Sequence, residues 1–314
     1  MKILALAGGV GGAKLVDGLA ALLPPDELSI IVNTGDDFEY CGLNISPDLD
    51  TVCYTLAGLA NPVTGWGQRD ETWVVFDAVQ NLGGPDWFRL GDRDLATHLY
   101  RTSQLALGKT LSDVTQSLCD AWGVEHRVFP MSDDPVRTIV HTVDQGSLGF
   151  QTYFVQKACE PVVESFDFQG VEQARPAPGA LAAIDQADLI ILTPSNPWVS
   201  IDPILSVPGY LPAIMDKVVI AVSPLVAGKS LKGPAAKMYR ELGFEPSASA
   251  VAFHYRNFLR GFVFDNQDQE ELEKIHGWHI ITLLTNIIMN VERDRIRLAE
   301  EILEFGDEVL ARSH

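Results

Sequence analysis

The stretch KILALAGGVGGAKLVDGLAALL, residues 2–23, followed by LSIIVNT at 28–34, decides the fold. KILALA is a short apolar run that stops at glycines, and AKLVDGLAALL has helical spacing of its hydrophobic residues. LSIIVNT reads as a second buried strand, which completes a βαβ unit with a right-handed crossover. Such a unit calls for a parallel sheet with helices on its faces.

Further along, DLIILTP (188–194) and KVVIAVSP (217–224) are apolar runs that each end in a proline-containing turn. Open parallel sheets bind ligands beyond the carboxyl ends of their strands, so the segments after these runs are site candidates by position. Residues 94–122 read as helical, and RTIVHTVDQGSLGFQTYFVQK (137–157) reads as two alternating strands around a DQG turn. GPAAKMYRELG (233–243) and ERDRIRLAEEILEFGDEVLARS (292–313) have helical periodicity and should coat the sheet. The expectation is an α/β fold: a Rossmann-like, mainly parallel sheet flanked by helices. It forms one domain over 1–314, with a smaller inserted α+β region at about 85–175.

With 46% hydrophobic and 21% charged residues, the 314-residue chain is ordinary for a globular protein. Its net charge of -19 excludes a basic stripe for nucleic acid. A small anion remains compatible, because it needs only a few local donors and a cation, for which magnesium is the natural choice. Cys41, Cys53, Cys119 and Cys159 have no zinc-type spacing and read as reduced thiols. No apolar run reaches the roughly 18 residues of a membrane span, so the expected location is the cytoplasm.

Five stretches bear chemistry. Gly8-Gly9-Val10-Gly11-Gly12-Ala13-Lys14 can turn backbone amides toward a phosphate at a helix start. It is not a P-loop, since Leu15 follows Lys14, and no acid ends the second strand as a dinucleotide fold requires. A tight structural turn is the plainer reading. NTGDDFEYCGLNISPDLDTVCYTLAG (33–58) crowds Asp36, Asp37, Glu39, Asp48 and Asp50 after that strand, which invites a divalent cation. Asp48 could instead cap a helix and Asp36 or Asp37 a turn. Asp50, in the next helix's first turn, has the stronger functional claim, and spacing leaves open which of Asp36, Asp37 and Asp48 joins it around the metal.

PDWFRLGDRDLATH (85–98) mixes aromatics and charges in a way that suits a flat ligand with a polar edge, although packing is the commoner fate of Trp66, Trp73, Trp87 and Phe88. His98 is a candidate base or a structural histidine at a helix start. In TPSNPWVSIDP (193–203), the hydroxyls of Thr193 and Ser195 and the amide of Asn196 could read a nucleobase or hold a phosphate, or the prolines could simply stiffen a turn. AGKSLKGP (227–234) offers Lys229 and Lys232 as phosphate donors.

Taken together, GGVGGAKL, the 33–58 stretch, WFRLGDRDLATHLYRT, TPSNPWVSIDPIL and SPLVAGKSLKGPAAKM resemble the CofD family, also called FbiA. The resemblance runs through most of the chain. It implies a phosphotransferase-type enzyme of coenzyme F-420 biosynthesis that uses Mg2+. The donor would be a guanosine diphospho-ester carrying lactate or enolpyruvate. The acceptor would be the ribityl hydroxyl of 7,8-didemethyl-8-hydroxy-5-deazariboflavin (Fo), and GMP would leave. It further implies Asp50 as the catalytic residue, and Asp50, Arg89, Gly91, Asp92 and His98 as the Fo site. Gly9, Gly11, Gly12, Lys14, Thr193, Ser195, Asn196, Lys229 and Lys232 would face the donor, and Asp50 and Asp37 the metal. A homodimer is compatible with it. A nucleotide-sugar-binding regulator of the YvcK type shares the sheet and glycine loop and is the competing reading; a nicotinamide dehydrogenase is disfavoured by the loop spacing.

Overall fold

Strands form here where five-residue apolar runs are covered from both sides. In the computed structural model, which describes residues 1–313, β1 (Ile3–Ala7) stops at Gly8, α1 (Gly9–Leu22) begins on the glycines, and β2 (Leu28–Val32) returns parallel to β1. A small hairpin of β3 (Phe38–Tyr40) and β4 (Leu43–Ile45) precedes four helices: α2 (Pro47–Leu56), α3 (Val74–Asn81), α4 (Asp92–Ala106) and α5 (Leu111–Trp122). The helical stretch divides at Thr110, whose side chain forms a capping box with Asp113 at the start of α5.

β5 (Arg127–Pro130) then pairs parallel with β2. β6 (Arg137–Thr142), β7 (Gly146–Gly149) and β8 (Val163–Gln169) make a separate antiparallel sheet in the order β7-β6-β8. The stretch 85–175 therefore holds two helices, one strand of the main sheet and this three-stranded sheet.

After α6 (Ala180–Gln186), the chain lays down β9 (Leu189–Leu192), α7 (Asp202–Ser206), α8 (Tyr210–Met215) and β10 (Val218–Val222). A tight hairpin of β11 (Leu225–Val226) and β12 (Lys229–Ser230) leads to α9 (Ala235–Glu241) and α10 (Ala248–Tyr255). β13 (Gly261–Asp265), α11 (Leu272–His276), β14 (Ile281–Thr285) and α12 (Glu292–Ser313) complete the order. The main sheet is parallel throughout, β14-β13-β10-β9-β1-β2-β5, which is the Rossmann-like architecture expected.

Every residue of β1 and β9 is buried, as a central parallel strand requires. The pleat sends Leu4 and Leu6 into one core with Ile184, Tyr210 and Tyr239, and Ile3, Ala5 and Ala7 into another with Leu15, Leu19, Leu298 and Ile302. Among the described residues no helix is long and apolar enough to cross a membrane.

α1 and α12 pack at very short range through Gly18, where an added Cβ would fall 2.2 Å from the Arg295 carbonyl oxygen. A Gly→Ala change inside a helix ordinarily gains up to about 1 kcal/mol. Here the backbone contact should win, so Gly18→Ala is expected to lower unfolding stability by about 1–3 kcal/mol in urea melts. An unchanged or raised midpoint would contradict this packing.

A candidate active site where the strand order reverses

From β1 the chain moves outward to β2 and β5 on one side, and it later returns to place β9, β10, β13 and β14 on the other. Between β1 and β9 lies the switch point at which open α/β sheets hold ligands. The loops that leave these two strands are bound to each other. Gly8 N–H donates to Ser195 Oγ at 3.1 Å, Ser195 Oγ–H donates back to the Gly8 carbonyl at 2.7 Å, and Thr193 Oγ1 donates to the Leu6 carbonyl at 2.9 Å. A Cβ on Gly11 would lie 2.6 Å from the Pro194 carbonyl oxygen, and one on Gly12 would lie 2.6 Å from Ser195 Oγ. Gly11 and Gly12 thus serve first to let α1 touch the 193–195 turn. The hydroxyls of Thr193 and Ser195 fasten backbone, and Asn196 caps the following turn by accepting from Trp198 N–H at 3.1 Å.

Gly9, with φ +62, donates its amide to Asp48 Oδ1 at 2.8 Å. α1 has no acidic residue in its first turn, so its N-terminal amides and dipole are offset only by this neighbouring carboxylate. Positive charge gathers nearby. Lys14 lies on α1 and donates to the Met289 carbonyl at 2.5 Å; its pKa is lowered by burial and then by the charges of Lys232 and Arg295. Lys232 donates to the Thr64 carbonyl at 2.7 Å and meets Val10 across Gly65, whose added Cβ would lie 2.6 Å from Val10 and 3.0 Å from Lys232 Nζ. Lys229 stands exposed on β12.

Behind the glycine loop sits a buried acidic cluster. Asn33, directly after β2, offers its amide NH2 to Asp48 Oδ2 at 2.9 Å and Asp36 Oδ1 at 3.1 Å. Burial and the Asp48 charge push Asp36 well above the usual carboxylate range, and burial takes Asp48 to about 6. Asp37 Oδ2 accepts from Ser46 Oγ at 2.8 Å, while its Oδ1 is buried without a partner. Burial lifts Asp37 to about 7 against the pull of Arg137. Burial raises the proton affinity of all three carboxyls, and Asp37 Oδ1 lacks a partner; among the described residues the acid-and-histidine group whose ligand atoms converge within 4.8 Å is Asp50, Asp94 and His98 instead.

Asp50 is situated differently. Both of its oxygens accept from the Arg101 guanidinium, Oδ2 at 3.1 Å from one nitrogen and Oδ1 in a closer contact with the other. Arg101 is 2% exposed, and its guanidinium also meets His98 Nδ1 at 3.1 Å. His98 lies in the second turn of α4, not at a helix start, and is 1% exposed, with Nε2 3.3 Å from Asp94 Oδ1. Tyr54 O–H donates to the same Asp94 oxygen at 2.7 Å. Of the two residues expected to hold a metal, Asp37 has an open oxygen and Asp50 has a guanidinium on both of its own.

The remaining candidates lie on the 61–93 segment. The Arg89 guanidinium is exposed and stacks 3.8 Å over the Trp73 ring. Gly91 gives room to Glu71, which would touch an added Cβ at 2.2 Å. The Asp92 carboxylate caps α3, accepting from Thr72 Oγ1 at 2.5 Å and from the amides of Val74 and Val75 at 3.1 Å each. Trp87 and Phe88 pack with Phe38 and Tyr40.

The family model described as 2-phospho-L-lactate transferase CofD matches residues 3–299. The chain belongs to the CofD family. It is 41% identical to a Streptomyces coelicolor protein named phosphoenolpyruvate transferase, over 98% of this chain and 99% of that protein. A Thermobifida fusca protein of the same name is 44% identical, over 86% of this chain and 88% of its own. The Methanosarcina mazei 2-phospho-L-lactate transferase is 39% identical, over 89% of this chain and 94% of that one. A solved structure of a UPF0052-family protein from Bacillus halodurans superposes with TM-score 0.62 at 13% identity, over 96% of this chain and 98% of that one, and shows likeness of fold alone.

In this CofD-family transferase several site residues escape sequence reading. Asn33, Ser46, Tyr54, Asp94 and Arg101 were not singled out, yet each of Asn33, Ser46, Tyr54 and Arg101 hydrogen-bonds one or more of the acids. The signal was present in the spacing: Asp50 and Tyr54 share a face of α2, as Asp94, His98 and Arg101 share one of α4.

The raised carboxyls give a signed expectation for metal-free protein. Asp37 holds its proton more tightly folded than unfolded, so stability falls as pH rises from its ordinary 3.8 through about 7. Asp37→Asn should flatten that part of the thermal-stability profile relative to the unmutated protein. Parallel profiles for the two would contradict the burial of Asp37 as a proton-retaining acid.

Proposed function

We propose that this CofD-family transferase moves a phospho-linked three-carbon acid, 2-phospholactyl or enolpyruvyl phosphate, from a guanosine diphospho-ester to the ribityl hydroxyl of Fo, releasing GMP, with Mg2+ as cofactor. The observation that carries the reading is one sheet edge combining a helix N-terminus, Lys14 and Lys232 with three buried acids. Cationic donors beside carboxylates suit a ligand that is anionic and metal-loaded, which describes a diphosphate. The names of the relatives supply the transferred group.

In this reading the first turn of α1 and the two lysines draw charge from the diphosphate. Asp37, through its unpartnered Oδ1, would contribute a ligand to Mg2+, whose chemistry is to neutralise the phosphoryl oxygens. The acceptor hydroxyl forms a bond to the phosphorus that bears the organic acid as that phosphorus separates from the GMP oxygen, and the hydroxyl proton passes to solvent. Asp50 accepts a hydrogen bond from the acceptor hydroxyl and orients it, and the Trp73–Arg89 stack presents a flat face to the ring system. Positioning and charge neutralisation supply most of the acceleration in phosphoryl transfer of this kind.

Relatives named phosphoenolpyruvate transferase stand at 41–44% identity and those named 2-phospho-L-lactate transferase at 36–40%, which favours the enolpyruvyl ester as donor. Purified protein given Fo, Mg2+ and each ester in parallel should release GMP and form the phosphodiester, faster with the enolpyruvyl donor. No product from either ester would contradict the transfer. Asp50→Asn, which leaves the buried Arg101 guanidinium without its carboxylate, is expected to lower the thermal transition and to lose turnover by about a hundred-fold, the scale of a positioned catalytic group; retained turnover in the folded variant would remove Asp50 from the reaction.

A further inference from the structure

We propose that Arg101 is a positioning residue for the acceptor, acting through Asp50, and that its guanidinium rather than a metal ion is the cation of that carboxylate. The inference rests on the proposed role of Asp50. The geometry is its own argument. Asp50, Asp94 and His98 bring one ligand atom each within 4.8 Å of one another, an arrangement with the look of a metal site. The Arg101 guanidinium fills it: one nitrogen lies 3.1 Å from Asp50 Oδ2 and 3.1 Å from His98 Nδ1, and the other closes on Asp50 Oδ1.

A guanidinium only donates, so His98 Nδ1 accepts from it, while Nε2, 3.3 Å from Asp94 Oδ1, is buried without a hydrogen-bond partner. Asp94 is tied in turn to Tyr54. Arg101 thus meets a carboxylate, an imidazole and, at 3.4 Å, the Asn44 carbonyl. These contacts fix the fork that sets the Asp50 rotamer. Both members of the pair are buried, the Arg101 side chain 2% and that of Asp50 8% exposed. Fastening α2 to α4 does not itself require buried charge, since apolar contacts of similar volume usually serve as well. A two-point clamp on a carboxylate adds orientation, which a lysine ammonium cannot reproduce.

The deciding variant is Arg101→Lys, which keeps the charge and loses the fork. Steady-state kinetics with Fo and the donor varied separately, fluorescence titration with Fo alone, and the Mg2+ dependence of turnover are compared with the unmutated enzyme. KM and Kd for Fo should rise by about ten-fold or more, the scale of a lost charge-assisted hydrogen bond. The donor KM and the Mg2+ half-saturation should stay within about two-fold. His98→Gln, which leaves the Arg101–Asp50 pair in place, should show the same split at smaller size and decides the matter if the lysine variant does not fold. Unaltered Fo affinity in a folded variant, a loss shared equally by both substrates, or a shifted Mg2+ requirement would overturn the inference while unmutated turnover leaves the transferase reading standing. If the unmutated enzyme neither binds Fo nor turns over, both fall.

Discussion

One serine side chain joins the two halves of this sheet at the place where function needs them joined. The Ser195 hydroxyl accepts from Gly8 N–H and donates to the Gly8 carbonyl, so the loops leaving β1 and β9 are fixed to each other across the switch point. The rest of the site depends on that closeness. Gly11 and Gly12 lack side chains because the 193–195 turn occupies the space, and Gly9 is free to turn its amide to Asp48. Through Asp48 the constraint reaches Asn33 and Asp36, two strands' ends becoming one polar floor.

The floor carries two kinds of acid. Asp36, Asp37 and Asp48 are buried with their proton affinities raised, so full ionisation needs a cation to offset the burial. Asp50, two residues beyond Asp48 on the same helix, already has one in Arg101. Spacing in sequence puts these carboxylates together; which of them has an inbuilt counter-ion depends on α4, about fifty residues further along. In a chain of net charge -19, Lys14 and Lys232 lie close enough near the glycine loop for the charge of Lys232 to lower the proton affinity of Lys14.

The βαβ start, both central apolar runs and the terminal helix were legible in the sequence, because each is long or periodic and buried on a known schedule. GFVFD at 261–265 and ITLLT at 281–285 were not read, since a run this short with three large apolar residues resembles buried helix as much as strand. RVFP at 127–130 fell within the stretch read as an inserted α+β region, and its pairing with β2 is a tertiary fact that no local pattern carries. The position of the 8–14 and 193–196 loops at strand ends was legible in the sequence. Asp92 as a cap of α3 was not, because the partners of a carboxylate twenty residues away are invisible to motif reading. Arg101 was missed for the same reason: its role comes from the packing of α4 against α2.

In the proposed reaction the loops after β1 and β9, with the acids behind them, form a metal-assisted diphosphate site. A crystal structure with GDP and Mg2+ tests it most directly. The account predicts the diphosphate against the first turn of α1, near Lys14 and Lys232, with the ion on Asp37 and its buried neighbours and the Asp50–Arg101 pair intact. GDP bound away from these loops, or an ion inserted between Asp50 and Arg101, would contradict it.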